Sequence, residues 1–419
     1  MATETTAEPH RSASGNREAA LEEFDFYTLG LLLFVASLVA MVTRRLKLPY
    51  SVGLVVAGIA LALLPFGLDL PLTPELVFTV FLPPLVFEAA IQIPWKPFRR
   101  ELPLLLLLVT VGVLLAAGIV AAGMHYLVGW SWLGAAFFGI LIAATDPVSV
   151  IAMFRQIDVD DRLHLLVESE SLLNDGVAAV GFAILVGIAA GGAATPAGIG
   201  GQLLLTVLGG ILAGAVVAGP LLLIAGRTTD HLVEITLTTL AAWGSFLLAE
   251  HFHVSGVLAA LTAGLLVGNV GWMGSISDSG RPAVLSFWEY AAFLVNSLIF
   301  ILIGGREANI SIGPLLSVAG VAVLLSLIGR AASVYPVALM FGRSGLKVPA
   351  AYQHVLWWGG LRGALALALA LALPANIPER GDIISVAFAV VAFSIFVQGL
   401  TMEPLMRRLG LIRGSTDRA

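Results

Sequence analysis

Apolar runs close to twenty residues long, set off by short polar breaks, recur along the chain from Phe26 to Leu411. A hydrocarbon core about 30 Å thick takes about 20 apolar residues of helix to cross, so each run reads as a membrane span. Counting runs between breaks predicts thirteen, near 26–43, 50–66, 74–91, 102–126, 133–154, 165–189, 200–225, 232–250, 254–270, 284–304, 313–341, 350–373 and 383–406. The second and ninth are short and glycine-rich, and several others are long enough to require tilt. An all-α polytopic membrane protein is the expected fold class.

The distribution of positive charge supports the count. With the N-terminus outside, the cytoplasmic side collects sixteen of the 22 lysines and arginines, from Arg44 and Arg45 to Arg413 and Arg418. Outer loops hold Arg306 and Arg380, the N-terminal tail holds Arg11 and Arg17, and Arg330 and Arg362 fall within spans. A missed or extra span would scramble this positive-inside bias. The expected topology is N-terminus out and C-terminus cytoplasmic, in an integral membrane protein of a prokaryotic inner membrane.

Composition agrees: of 419 residues 58% are hydrophobic and 12% charged, where a soluble chain carries about a quarter charged. The absence of cysteine excludes disulfides and thiol chemistry. Residues 1–24 are polar and lack the apolar core of a signal peptide, so a flexible tail is expected there. Residues 25–410 then form one transmembrane domain, and 411–419 a short basic cytoplasmic tail. No nucleotide-binding glycine loop is visible, which argues against ATP-driven pumping. Histidines lie in loops and interfaces, and no resident metal site, cofactor or nucleic-acid partner is expected.

Two spans are interrupted. The fifth carries Thr145-Asp146-Pro147 and the twelfth Gly359-Gly360-Leu361-Arg362-Gly363. They lie seven spans apart and therefore cross the membrane in opposite directions. Broken helices at corresponding places in two halves are the sequence mark of an inverted-repeat transporter with a midplane site. Pro147 cannot donate a backbone hydrogen bond and disfavours helical angles at Asp146, so carbonyls such as that of Thr145 are freed.

Carboxylates at membrane depth are costly and read as functional. Asp175 lies ten residues into the sixth span, about 15 Å, and Asp146 thirteen residues into the fifth, about 20 Å; both depths are near the middle of the bilayer. Two such carboxylates can bind a small hard cation, and burial lets either hold a proton. Ser171, four residues before Asp175, shares its helix face. The plainer alternative is that Asp146 and Asp175 only pair with buried arginines.

Glu170 and Asn174 form a second stripe one position away, and a buried glutamate needs a cation or a proton. Arg330 is the expected partner of Glu170, in a structural ion pair. Arg362 is expected to compensate the carbonyl ends of a broken helix. Glu88 either lines an inner funnel as a further ligand or is a solvated helix-end residue. Glu168, Glu234, Glu250 and Glu289 are expected to be interfacial.

Four ordered motifs then carry a resemblance: Leu82-Pro83-Pro84-Leu85-Val86-Phe87-Glu88, Ala144-Thr145-Asp146-Pro147-Val148, Glu170-Ser171-Leu172-Leu173-Asn174-Asp175-Gly176 and Gly359-Gly360-Leu361-Arg362-Gly363-Ala364. Over residues 26 to 410 the chain resembles the monovalent cation/proton antiporters, in particular the branch of bacterial NhaP and the animal sodium/proton exchangers. The resemblance implies a homodimer of thirteen-helix protomers, each with a dimerisation part and a mobile six-helix core that works as an elevator. It also implies electroneutral exchange of one sodium for one proton, from the Asn174-Asp175 pair and the lack of a lysine near Ser297. It places the buried arginine of the family at Arg330, opposite Glu170. The long cytoplasmic regulatory domains of many relatives are expected to be absent.

The expected activity is therefore exchange of Na+ or Li+ for H+, not enzymatic catalysis, with both ions competing for Asp175. Asp146, Ser171 and Thr145 complete the sodium shell. Potassium/proton exchange is the alternative, since such oxygen ligands do not fix ion size. A passive cation channel and a membrane-embedded hydrolase are more remote, the latter for want of a nucleophile–histidine pair.

Overall fold

The structure is a computed structural model that describes residues 26–46, 48–64, 73–146, 150–151, 154, 159–191, 195–307 and 315–412. The expected tail over 1–24, Pro147 and the residues from 413 onward lie outside these. All regular structure among the described residues is helical. The chain runs through α1 (Phe26–Leu46), α2 (Tyr50–Ala62), α3 (Leu76–Gln92), α4 (Trp95–Val128), α5 (Trp132–Ala143), α6 (Asp161–Ala189) and α7 (Pro196–Ala225). It continues through α8 (His231–His251), α9 (Gly256–Asn269), α10 (Gly280–Glu307), α11 (Leu316–Met340), α12 (Ala350–Trp358), α13 (Ala364–Leu371) and α14 (Arg380–Arg408).

Nine of these, among the described residues, are long and apolar enough to cross a membrane alone, α9 with its helical continuation to Met273. Helices α2, α3 and α5 are shorter apolar segments, and α12 and α13 are the two halves of the interrupted twelfth run. Helix fills some part of every predicted span, with three boundary differences worth a reason. Span four begins at Trp95 instead of 102, because Pro94 opens the helix. Its start buries Phe98 and leaves Arg99 and Arg100 exposed, so the basic stretch between predicted spans three and four is an amphipathic helix start. Span two ends four residues early, at Ala62. The twelfth span is two short helices joined by an extended link.

Small residues let the short helices pack deeply, as membrane helices do when backbones must approach closely. A β-carbon on Gly58 of α2 would lie 2.1 Å from Ile301 O of α10, and one on Gly304 would lie 2.1 Å from Val55 O in return. Helices α3 and α9 meet in the same way at Gly268, 2.0 Å from Ile91 O. A fully buried Trp288 on α10 fills the space between α3 and α8, its ring tilted 42° against Phe87 with centroids 4.4 Å apart, and donates to Thr238 Oγ1 at 3.0 Å.

Polar clips tie the helix ends. Ser131, the N-cap of α5, donates its N–H and hydroxyl to Glu379 at 2.8 and 2.9 Å. Arg162 forms a two-pronged ion pair with the buried Glu101, at 2.8 and 3.0 Å, and also donates to the carbonyls of Leu346 and Lys347. Two glutamates expected at the interface are instead buried. Glu234 is fully enclosed and accepts from Ser277 N and Oγ, which pins the approach to α10. Glu168 is buried beside His164 at 3.8 Å. Hydropathy alone cannot see a loop partner such as Ser277, nor that the first turns of α6 are covered by the rest of the bundle.

Candidate ion-binding site

The two interruptions cross. Helix α5 ends at Ala143, and Ala144, Thr145 and Asp146 continue without helical hydrogen bonds. Helix α12 ends at Trp358, and α13 resumes at Ala364. One backbone bond joins the two extended links, with Asp146 N donating to Leu361 O at 2.8 Å.

Each link leaves helical carbonyls unsatisfied, which at membrane depth must find internal partners. Arg362, in the second link, donates to Ala143 O and Ala144 O, both at 3.1 Å. The expected compensation of carbonyl ends by Arg362 is thus directed at the other broken helix. Arg330 serves the end of α12, donating from Nε and Nη2 to Leu356 O at 3.1 and 2.9 Å. Its two Nη atoms also form a bidentate pair with Glu170 at 2.7 and 2.8 Å, with both side chains buried. Cations at helix C-termini offset the negative end of the helix dipole.

Asp175 stands at the midpoint of the 29-residue α6. Its Oδ1 is buried without a hydrogen-bond partner among the described residues. Asp146, in the first link, packs its carboxylate against Gly363 at the N-terminus of α13, where the helix dipole favours an anion. A β-carbon on Gly363 would fall 2.1 Å from Asp146 Oδ2, and one on Gly360 would fall 2.6 Å from Arg330 Nε. Those two glycines are there because a carboxylate and a guanidinium occupy the space. Gly363→Ala is accordingly expected to push Asp146 aside and, on the cation/proton exchange expected from the sequence, to reduce its rate by about tenfold to a hundredfold. Initial rates in everted vesicles check this, and a wild-type rate would remove the close packing as a determinant.

Thr145, Asp146 and Asp175 line a cavity of about 650 Å³. It extends toward the helix ends that carry Arg44, Glu88 and Glu289, with Glu168 and Tyr50 also on its wall. Glu88 is thus on the path to the two aspartates, accepting a hydrogen bond from Gln92 one turn on. Ser171 reaches the site through Thr145, the two hydroxyls lying 2.8 Å apart.

Asn174 supports the site through the first link. It shares a stripe with Glu170 in sequence, and it donates to Ala143 O at 2.9 Å and to Thr145 Oγ1 at 3.0 Å. The two stripes of α6 therefore converge on the first link at Thr145, and only Glu170 turns away to Arg330. Sequence reading also missed Ser394 and Gln398 of α14. Ser394 Oγ accepts from Arg362 N at 2.7 Å, and Gln398 Nε2 donates to Trp358 O at 3.0 Å. Their four-residue spacing within an apolar run was the available signal.

Comparison with known proteins fits this geometry. The family described as "Sodium/hydrogen exchanger, transmembrane" matches residues 30–408. The Na(+)/H(+) antiporter ApNhaP of Aphanothece halophytica is 38% identical over 405 residues, covering 95% of this chain and 76% of its own. The Na(+)/H(+) antiporter NhaP of Pseudomonas aeruginosa is 33% identical over 415 residues, 90% of this chain and 97% of its own. The fold is similar to that of the sodium proton antiporter MjNhaP1 from Methanocaldococcus jannaschii, with a TM-score of 0.74 at 21% identity, covering 91% of this chain and 97% of that one. The chain belongs to the sodium/hydrogen exchanger family of integral membrane antiporters.

Proposed function

We propose that the protein exchanges sodium or lithium for protons, one for one, with the two cations competing for Asp175. The observation that carries this reading is the approach of one cavity to Asp146 and to Asp175, whose Oδ1 is buried and unpartnered among the described residues, at the crossing of two broken helices. Relatives named as Na(+)/H(+) antiporters add support.

The charges give the stoichiometry a physical basis. With Asp146, Asp175, Glu170, Arg330 and Arg362 all ionised, three negative and two positive charges leave the centre at minus one. Either one proton or one monovalent cation brings it to zero. A net charge is heavily disfavoured in the apolar interior, so only the loaded centre crosses, and each crossing carries one ion of either kind. Asp175 takes the proton or the cation. Asp146 and Thr145 supply further oxygens, and Ser171 and Asn174 hold Thr145 in place. No cofactor takes part.

In the fuller reading, α4–α6 and α11–α14 form the six-helix core of an inverted repeat, and it slides against a dimerisation part built from α1–α3 and α7–α10. The domain spans residues 25–410 and crosses thirteen times, with its N-terminus outside a prokaryotic inner membrane. On that topology the cavity opens to the cytoplasm, and the protein faces inward.

Proton flux in proteoliposomes tests the reading, with sodium, lithium and potassium gradients imposed in turn. Sodium and lithium are expected to drive proton countermovement and potassium to drive far less. Clamping the membrane potential is expected to leave the sodium-driven rate unchanged. Equal flux with potassium would favour potassium exchange, cation flux without protons a channel, and marked voltage dependence an uneven stoichiometry.

A further inference from the structure

The two links are held by matching side chains, and only one set belongs to the helix that carries Asp175. On α6, the Asn174 amide donates to Ala143 O, the last helical carbonyl before the first link. On α14, the Gln398 amide donates to Trp358 O, the last helical carbonyl before the second link. A hydroxyl completes each set: Ser171 on Thr145 in the first, Ser394 under the Arg362 N–H in the second. All four side chains are buried. Ser394 and Gln398 lie in a wide π-type turn, Ser394–Gly399, within α14; such turns are local departures from α-helix that recur at functional sites.

Neither side chain lines the cavity or touches either aspartate, yet both fix the backbone from Trp358 to Arg362. That backbone supplies Leu361 O, which accepts from Asp146 N. It also sets Gly363 against the Asp146 carboxylate and aims the Arg362 side chain at Ala143 and Ala144. We propose that Gln398, with Ser394, is a positioning residue for exchange, setting cation affinity through the second link by holding Asp146 in register with Asp175. The proposal rests on the exchange reading above and adds residues to it that no ligand role would reveal.

The donor is the active part of Gln398, so Gln398→Met, which keeps length and bulk but cannot donate, isolates it. One lost hydrogen bond on the link is expected to raise the apparent KM for sodium about three- to tenfold. The maximal rate and the detergent melting temperature are expected to change little. Ser394→Ala, which removes the acceptor under Arg362 N, is expected to raise KM in the same direction.

Wild-type and variant proteins are to be reconstituted in parallel and assayed for sodium-driven proton flux across a range of sodium concentrations. If the wild type gives no such flux, the exchange reading itself fails. If the wild type exchanges and both variants keep its KM, or lose maximal rate alone, the positioning role is overturned while exchange stands. If neither variant yields folded protein, the residues are structural and the proposal is overturned as well. A raised KM with folded protein in either variant supports it.

Discussion

Asp175→Asn is expected to reduce sodium-driven proton flux to background while the protein folds normally. The amide matches the carboxyl in shape, so packing along the middle of α6 is preserved. What changes is charge. The centre at the crossed links goes from minus one to zero, and no proton or cation is then needed for it to cross. The site also loses the carboxylate for which the proton and the cation are proposed to compete. A buried carboxylate whose Oδ1 has no partner among the described residues is itself a cost to the fold, so the variant is expected to melt no lower than the wild type. Flux in proteoliposomes and thermal unfolding in detergent, measured on the same preparation, check both halves. Retained sodium-driven proton movement would falsify the assignment of Asp175 as the carrier.

What the sequence made legible follows from where the physics is local. A charged residue within an apolar run is visible because its cost does not depend on the partner, and this exposed Asp146, Glu170, Asp175, Arg330 and Arg362 at once. The interruption at Gly359–Gly363 is visible in the same way, since five residues with three glycines do not sustain a membrane helix. Partner choice is harder. Only two arginines fall within the predicted spans, so matching Glu170 to Arg330 was a short elimination; no such count places Asn174. Its amide could turn to the bundle or to the first link, and that depends on where α5 stops, at Ala143, well before the end of the apolar run at 154. Ser394 and Gln398 were missed because serine and glutamine are tolerated in ordinary membrane helices. Their importance appears only when two chain segments forty residues apart, Trp358 and Gln398, are seen to meet. Glu234 lies near a helix start and so reads as interfacial, but the loop bearing Ser277 folds over it and encloses it.

Glu170→Gln is expected to lower stability by about 3–5 kcal/mol, because it leaves Arg330 charged and buried without its bidentate partner. The bonds from Arg330 to Leu356 O satisfy part of its donor set but none of its charge. Transport is expected to fail in any protein that does fold. With Glu170 neutral, the centre holds two negative and two positive charges, so it is already neutral with Asp175 ionised, and loading a proton or a cation leaves it at plus one. The crossing then favours the empty site, which uncouples the two ions. Removing both charges separates these effects. The double variant Glu170→Gln with Arg330→Gln restores the sum of minus one and keeps a donor for Leu356 O, so it is expected to recover most of the lost stability and some exchange. Arg330→Lys keeps the sum of minus one but is expected to lower stability, since a single ammonium loses the bidentate fork on Glu170. Melting temperatures in detergent and sodium-driven flux across the three variants give the comparison. A single variant as stable as the wild type, or a double variant no better than the single, would show that the pair holds neither the fold nor the charge balance on which coupled crossing depends.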